Sequence, residues 1–190
     1  MRFFCASVSP RSARVPADGA TLIGFGDAFL LVWNTGQSEP QERLRLPGRI
    51  TCAAINESGS AAIAGTASGE VFVLRLPDLK VLAHRREPTA IHSVQVSDVD
   101  VGVFCDVEGH VAAFNFANNE DLPPIRYDGA AARLWLACDA NLLIVDDQHT
   151  MILCDPKKGW LENTFYYGAF EYPRDSGNWY QGIHKPIITQ

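Results

Sequence analysis

Ile50-Thr-Cys-Ala-Ala-Ile55, a turn at Asn56-Glu-Ser-Gly59, then Ala61-Ala-Ile-Ala-Gly65, a tight turn at Ala67-Ser-Gly69 and Val71-Phe-Val-Leu74 follow one another without interruption. A last run, Lys80 to His84, comes after Pro77-Asp78. Short apolar runs divided by turn residues, with no sustained helical period, are the mark of strands. Asn-x-x-Gly and Ser-Gly supply the positive φ that hairpins require. The segment predicts four strands, three connections and one meandering sheet.

The unit recurs on both sides. Ile91-His-Ser-Val-Gln-Val96 turns at Ser97-Asp98 into Val101-Gly-Val-Phe-Cys105, and Glu108-Gly109 turns that into Val111-Ala-Ala-Phe114. A later copy runs Leu134-Trp-Leu136, Leu142-Leu-Ile-Val145, a turn at Asp146-Asp147-Gln148, and Met151-Ile-Leu153. An earlier one reads Leu22-Ile-Gly-Phe25, a turn at Gly26-Asp27, and Leu30-Leu-Val-Trp33. The third strands end at Trp33, Leu74, Phe114 and Leu153, at intervals of 41, 40 and 39 residues. A period this regular predicts a repeat architecture.

Four-stranded units of this length, one of them ending a strand in Val32-Trp33-Asn34, resemble the WD-repeat (WD40-type) β-propellers. Phe114-Asn115 is a degenerate version of the Trp-Asp pair, Cys154-Asp155 keeps the acid alone, and Leu74-Arg75 keeps neither. The family's Gly-His before the first strand is not found, since Gly109-His110 falls between the second and third strands. The resemblance covers about residues 2 to 165. It implies an all-β chain of about four four-stranded antiparallel blades, a partial or small propeller, followed by an irregular aromatic C-terminal tail. The blades are expected at about 2–46, 49–86, 90–127 and 131–165, within a domain of residues 1–165. Residues 166–190 form a C-terminal extension.

In this register Phe4-Cys5-Ala6-Ser7-Val8 matches Thr51 to Ile55 as a first strand, with Ser9 to Asp18 as a long hairpin connection. Arg2, Arg11 and Arg14, with no acid before Asp18, give the same stretch the composition of a mitochondrial presequence. The strand reading is preferred, so the expected compartment is the cytoplasm, with the mitochondrion as alternative.

Composition narrows the function classes. The 190 residues are 47% hydrophobic and 20% charged, as in a globular chain that can bury a core. No run of about eighteen apolar residues suggests a membrane span. A net charge of −6 without a block of Lys and Arg offers phosphate backbones no landing surface, so nucleic acid is not an expected partner. Cys5, Cys52, Cys105, Cys138 and Cys154 are odd in number and lack a C-x-x-C pair, which predicts buried free thiols.

Local signatures of catalysis are missing: there is no G-x-S-x-G, phosphate loop, G-x-G-x-x-G or H-E-x-x-H. Asp146-Asp147-Gln148-His149 has ligand chemistry but sits in a hairpin turn, where Asp caps its own backbone. Asp98-Val99-Asp100 is also a turn and lacks the further ligands of a calcium loop. No catalytic residue, cofactor or metal is predicted. The rival reading, a propeller-based enzyme or small-ligand sensor, needs polar groups converging on the channel mouth, for which His110, Asp146, Asp147 and His149 are the candidates.

What remains is binding. The resemblance implies loop rims that recruit protein partners. Propellers of this family usually close with about seven units, so four units leave three arrangements open, closure as four blades, completion by another chain, or pairing of two copies as a homodimer, and completion by a partner is the one expected. Eight of the chain's nineteen aromatics stand from Trp160 onward: Trp160, Phe165, Tyr166, Tyr167, Phe170, Tyr172, Trp179 and Tyr180. Large rings favour burial and anchor interfaces, so these are the expected partner-binding residues. The sequence reading is a non-catalytic scaffold subunit of a multiprotein complex, binding through blade loops, open sheet edges and the aromatic tail.

Overall fold

A computed structural model describes residues 12–14, 19, 21–125, 131–136, 142–146, 150–157 and 160–166. They form sixteen strands in four sheets. Sheet 1 holds β1 (Ser12–Arg14), β2 (Thr21–Gly26), β3 (Phe29–Asn34) and β4 (Glu42–Arg45). Sheet 2 holds β5 (Ile50–Ile55), β6 (Ala61–Thr66), β7 (Glu70–Arg75) and β8 (Val81–Arg86). Sheet 3 holds β9 (Ile91–Val96), β10 (Val101–Asp106), β11 (Val111–Asn115) and β12 (Glu120–Asp121). Sheet 4 holds β13 (Ala131–Leu136), β14 (Leu142–Asp146), β15 (Thr150–Asp155) and β16 (Trp160–Tyr166). Each is an antiparallel meander in chain order.

The first strand of sheet 1 corrects the expected N-terminal register. Ser12–Arg14, placed by the sequence in a hairpin connection, pairs with β2 through Ser12↔Phe25 and Arg14↔Ile23. Only three residues pair, and none is a large apolar side chain, so strand pattern gave no warning. Phe4 to Val8, expected as that strand, lie outside the described residues.

The core explains the continuous apolar runs. Ala62, Ala64, Phe72 and Leu74 point from sheet 2 towards Ile23, Leu30 and Val32 of sheet 1. Their sequence neighbours Ala61, Ile63, Val71 and Val73 point the other way, towards Ile91, Val94, Phe104 and Phe114 of sheet 3. Val101, Val103 and Cys105 in turn pack on Leu134, Leu142, Ile144 and Cys154 of sheet 4. Because side chains alternate, a strand between two sheets is apolar at every position. All six residues of β6 and all six of β10 are buried. Each fully buried Ile, Leu or Val contributes about 1.5–3 kcal/mol. The fourth strands carry the polar surface: β4 and β8 are mostly exposed, and both residues of β12 are. Among the described residues no core cluster joins sheet 4 to sheet 1. Leu31 and Trp33, alternating with the inward Leu30 and Val32, are also buried.

Small residues set how closely sheets approach. A Cβ on Gly65 would lie 2.8 Å from Ile91 Cβ, so the hydrogen there admits the isoleucine of the next sheet. Gly69, at φ 84°, closes the β6–β7 turn with its Cα against the carbonyls of Glu87 and Thr89. A left-handed backbone packed on another backbone leaves no residue but glycine.

The repeat is written in backbone hydrogen bonds as well. Asn56 N donates to Ala61 O, and Ser97 N to Val101 O. Ala67 N donates to Arg49 O, and Val107 N to Ala90 O. Leu76 N donates to Ser60 O, and Phe116 N to Asp100 O. Equivalent bonds forty or forty-one residues apart are the period of the sequence seen in space.

Candidate binding groove

The first strands of sheets 2 and 3 lie side by side. Thr51 Oγ1 donates to Ile91 O at 2.6 Å, with Gly65 O at 3.0 Å as a second acceptor for the same proton. Gln95 Nε2 donates to Leu134 O at 3.0 Å, repeating the device between sheets 3 and 4. Side chains of one first strand thus hold the backbone of the next.

These strands line a groove of about 480 Å³. Its polar wall is Arg49, Thr51, His92, Ser93 and Gln95; its apolar floor includes Phe25, Ile50 and Val94. No carboxylate is among the described residues that line it. Arg49, Thr51 and His92 are exposed. Cys52 also borders the groove, and burial pushes its thiol up to about 11, against the smaller opposing effects of the Thr51 hydroxyl and the Gly65 backbone. It therefore contributes a neutral thiol and no nucleophile at neutral pH.

A second polar cluster closes the β10–β11 turn. Asp106 is buried, and its Oδ1 accepts the N–H groups of Glu108 and His110, each at 2.9 Å. Its Oδ2 accepts the Thr89 hydroxyl at 2.5 Å and lies 3.2 Å from His110 Nδ1. Burial works to raise this carboxyl, but the Thr89 hydroxyl and the His110 backbone and ring outweigh it and hold it below its ordinary value. Asp106, Glu108 and His110 present oxygen and nitrogen atoms within 4.8 Å of one another. Both Asp106 oxygens already accept protein donors, so the arrangement staples the loop before β9 to the turn after β10. Thr66 does a smaller version of the same work in sheet 2, its Oγ1 accepting the Glu70 N–H at 3.0 Å.

The sequence candidates are distributed differently. His110 reaches Asp106, not the groove, and its side chain is 75% exposed. Asp146 ends β14, while Asp147 and His149 lie outside the described residues. Asp98 accepts the Ser58 N–H at 3.2 Å and the Ser58 hydroxyl at 2.7 Å, so that turn joins sheets 2 and 3. Of the aromatic set, Trp160, Phe165 and Tyr166 belong to β16 at the edge of sheet 4, where Phe165 pairs with Met151. Tyr167, Phe170, Tyr172, Trp179 and Tyr180 lie outside the described residues. Sequence reasoning missed Arg49, His92 and Thr89. The available signal was positional: Thr51 and His92 interrupt apolar runs at matching places in consecutive units.

Comparison with known proteins bears on the fold. No model of a known protein family matches the chain, and no curated protein sequence does. Among solved structures 1397 chains match, a breadth that marks a common architecture and no single activity. One is U3-55K, a WD40 β-propeller protein, at a TM-score of 0.73 and 14% identity over 86% of this chain and 54% of that one. The likeness shows a WD40-like fold, and the chain spans about half the length of that relative. No helix among the described residues is long and apolar enough to cross a membrane.

Proposed function

We propose that the chain is a non-catalytic scaffold subunit of a multiprotein complex, its arc of four sheets completed in the assembly by another protein surface. The observation that carries this reading is the superposition on U3-55K. Four sheets matched together over 86% of this chain cover only 54% of the other. Further sheets beside the outer ones are part of this proposal. A second copy of the chain or a different protein would supply them. Propellers display loops and inner strands around a channel, and those surfaces suit recruitment.

The aromatic residues Trp160, Phe165, Tyr166, Tyr167, Phe170, Tyr172, Trp179 and Tyr180 are proposed as contacts with that partner. Strand β16 is the outer edge of sheet 4, and an edge strand offers unpaired backbone groups to a partner. Replacing Trp179 and Tyr180 together by alanine, with the mass of the assembly read by light scattering, tests the assignment. Loss of the assembly with retained folding supports it, and an unchanged assembly removes these two rings from the interface. Catalysis lacks support from the Asp106–His110 pair, because the carboxylate is committed to backbone and hydroxyl donors.

A further inference from the structure

We infer that residues 1–11 of this chain lie across the outer face of sheet 1 and stand there in the place of a preceding sheet, so that a partner adds to the arc at the sheet 4 end. The second half of this inference rests on the scaffold reading. Its first ground is burial without a described cover. Leu22, Leu31 and Trp33 share the face of sheet 1 turned away from sheet 2, with Leu22 paired to Trp33 and Gly24 to Leu31. These positions stand one repeat before Ala62, Leu74, Ala64 and Phe72, by which sheet 2 receives sheet 1. The outer face is thus built as a junction. Leu31 is 2% exposed and Trp33 6%, yet neither belongs to a core cluster of the described residues. Their cover therefore comes from residues outside that set. Gly24 and Gly26 are buried on the same face, and glycine within a strand marks the close approach of another segment.

The second ground is reach. Two of the remaining segments are long enough to cross a sheet, residues 1–11 and residues 167–190; the others are connections of five residues or fewer. The first runs directly into β1, an edge strand of sheet 1, so its return needs no long loop to close. Its eleven residues extend about 36 Å, against about 14 Å for the width of four strands. The second leaves β16 at the far end of the stack and must pass three junctions of about 10 Å each, with the entropy of every residue on the way lost. Phe3, Phe4, Cys5, Ala6 and Val8 carry the apolar side chains that a junction requires. Arg43 stands 3.9 Å over the Phe29 ring at the margin of the face. It and Arg45 are exposed, so water screens them from Arg2 and Arg11. An end closed in this way accepts no second neighbour and leaves no place for head-to-tail rings or filaments.

The test puts benzoylphenylalanine in place of Phe4 in the full chain, irradiates it and maps the cross-linked peptides, with isotope-labelled and unlabelled chains mixed. The photoactive group should join the β2–β3 hairpin, residues 21–34, of its own chain. Phe3→Ser with Phe4→Ser should raise the binding of an apolar dye several-fold, as Leu31 and Trp33 meet water, with circular dichroism still that of the parent. A cross-link to another sheet or to a second chain overturns the inference. So does a cross-link to the same hairpin from benzoylphenylalanine in place of Trp179, which gives the cover to the C-terminal residues. Dye binding unchanged by the double substitution overturns it too. A particle whose mass climbs steadily with concentration also overturns it, because such growth needs both ends open. The scaffold reading is read independently, from the mass of the particle. A heavy particle without the Phe4 cross-link loses the cap alone, and a monomer with that cross-link loses the scaffold reading and keeps the cap.

Discussion

Thr51 and Ile91 occupy the first strands of consecutive sheets, and the threonine hydroxyl donates to the isoleucine carbonyl at 2.6 Å. This bond ties the inner wall of the groove across a sheet boundary, at the period of the repeat. Thr51→Val keeps the shape and removes the donor. A loss of about 1 kcal/mol in urea unfolding is expected, with Thr51→Ser close to the parent chain.

Gly65 and Ile91 meet at the same boundary. Gly65→Ala places a Cβ 2.8 Å from Ile91 Cβ, and overpacking of this kind costs about 1–3 kcal/mol. Ile91→Ala removes the opposing branch but leaves a cavity. The two changes together should cost clearly less than their sum in a double-mutant cycle. Strict additivity would mean that the two residues do not touch.

Much of this arrangement was legible in the sequence, for a physical reason. Interior strands such as Ala61–Thr66 and Val101–Asp106 are buried on both faces, so their apolar runs and flanking glycines mark them without any Trp-Asp pair. The first strand, Ser12–Arg14, was not legible, because three residues at a sheet edge need no apolar pattern. The groove was hidden for another reason. Arg49 and His92 are far apart in sequence and come to line one groove only when β5 and β9 are laid together. Asp106 was passed over because a buried acid at a strand end looks like any turn aspartate until Thr89 is brought to it.

Asp106 makes the stability of sheet 3 sensitive to acid. Its carboxyl is held below the ordinary 3.8 in the folded chain, so its contribution is complete above that value and is lost as pH falls through the lower, folded value. Asp106→Ala orphans the Glu108, His110 and Thr89 donors and should cost about 2–3 kcal/mol at neutral pH. The gap between parent and variant, followed by chemical unfolding, should narrow below pH 3.8. A gap independent of pH would remove the carboxylate from the account.

The half-buried Cys52 and the buried Cys105 predict the opposite limit. Cys52 is raised to about 11 by burial, and Cys105 to about 12 by burial and then by the Asp106 carboxylate. Raised thiols stabilise the fold below the unfolded value of 9.0 and lose that contribution as pH climbs through 11 and 12. At neutral pH the Cys52 thiolate is on the order of one in ten thousand. Peptide mapping after alkylation should find Cys52 and Cys105 unmodified in the native chain and modified in denaturant. Rapid native labelling of Cys52 would show that its surroundings are wetter than described.

The mass of the purified chain in solution, by light scattering after size exclusion, tests the scaffold claim most directly. The expected result is a particle heavier than one chain, or a chain that stays soluble only when co-expressed with its partner. A compact, well-behaved monomer would contradict it, because four sheets that close alone need no other protein to complete them.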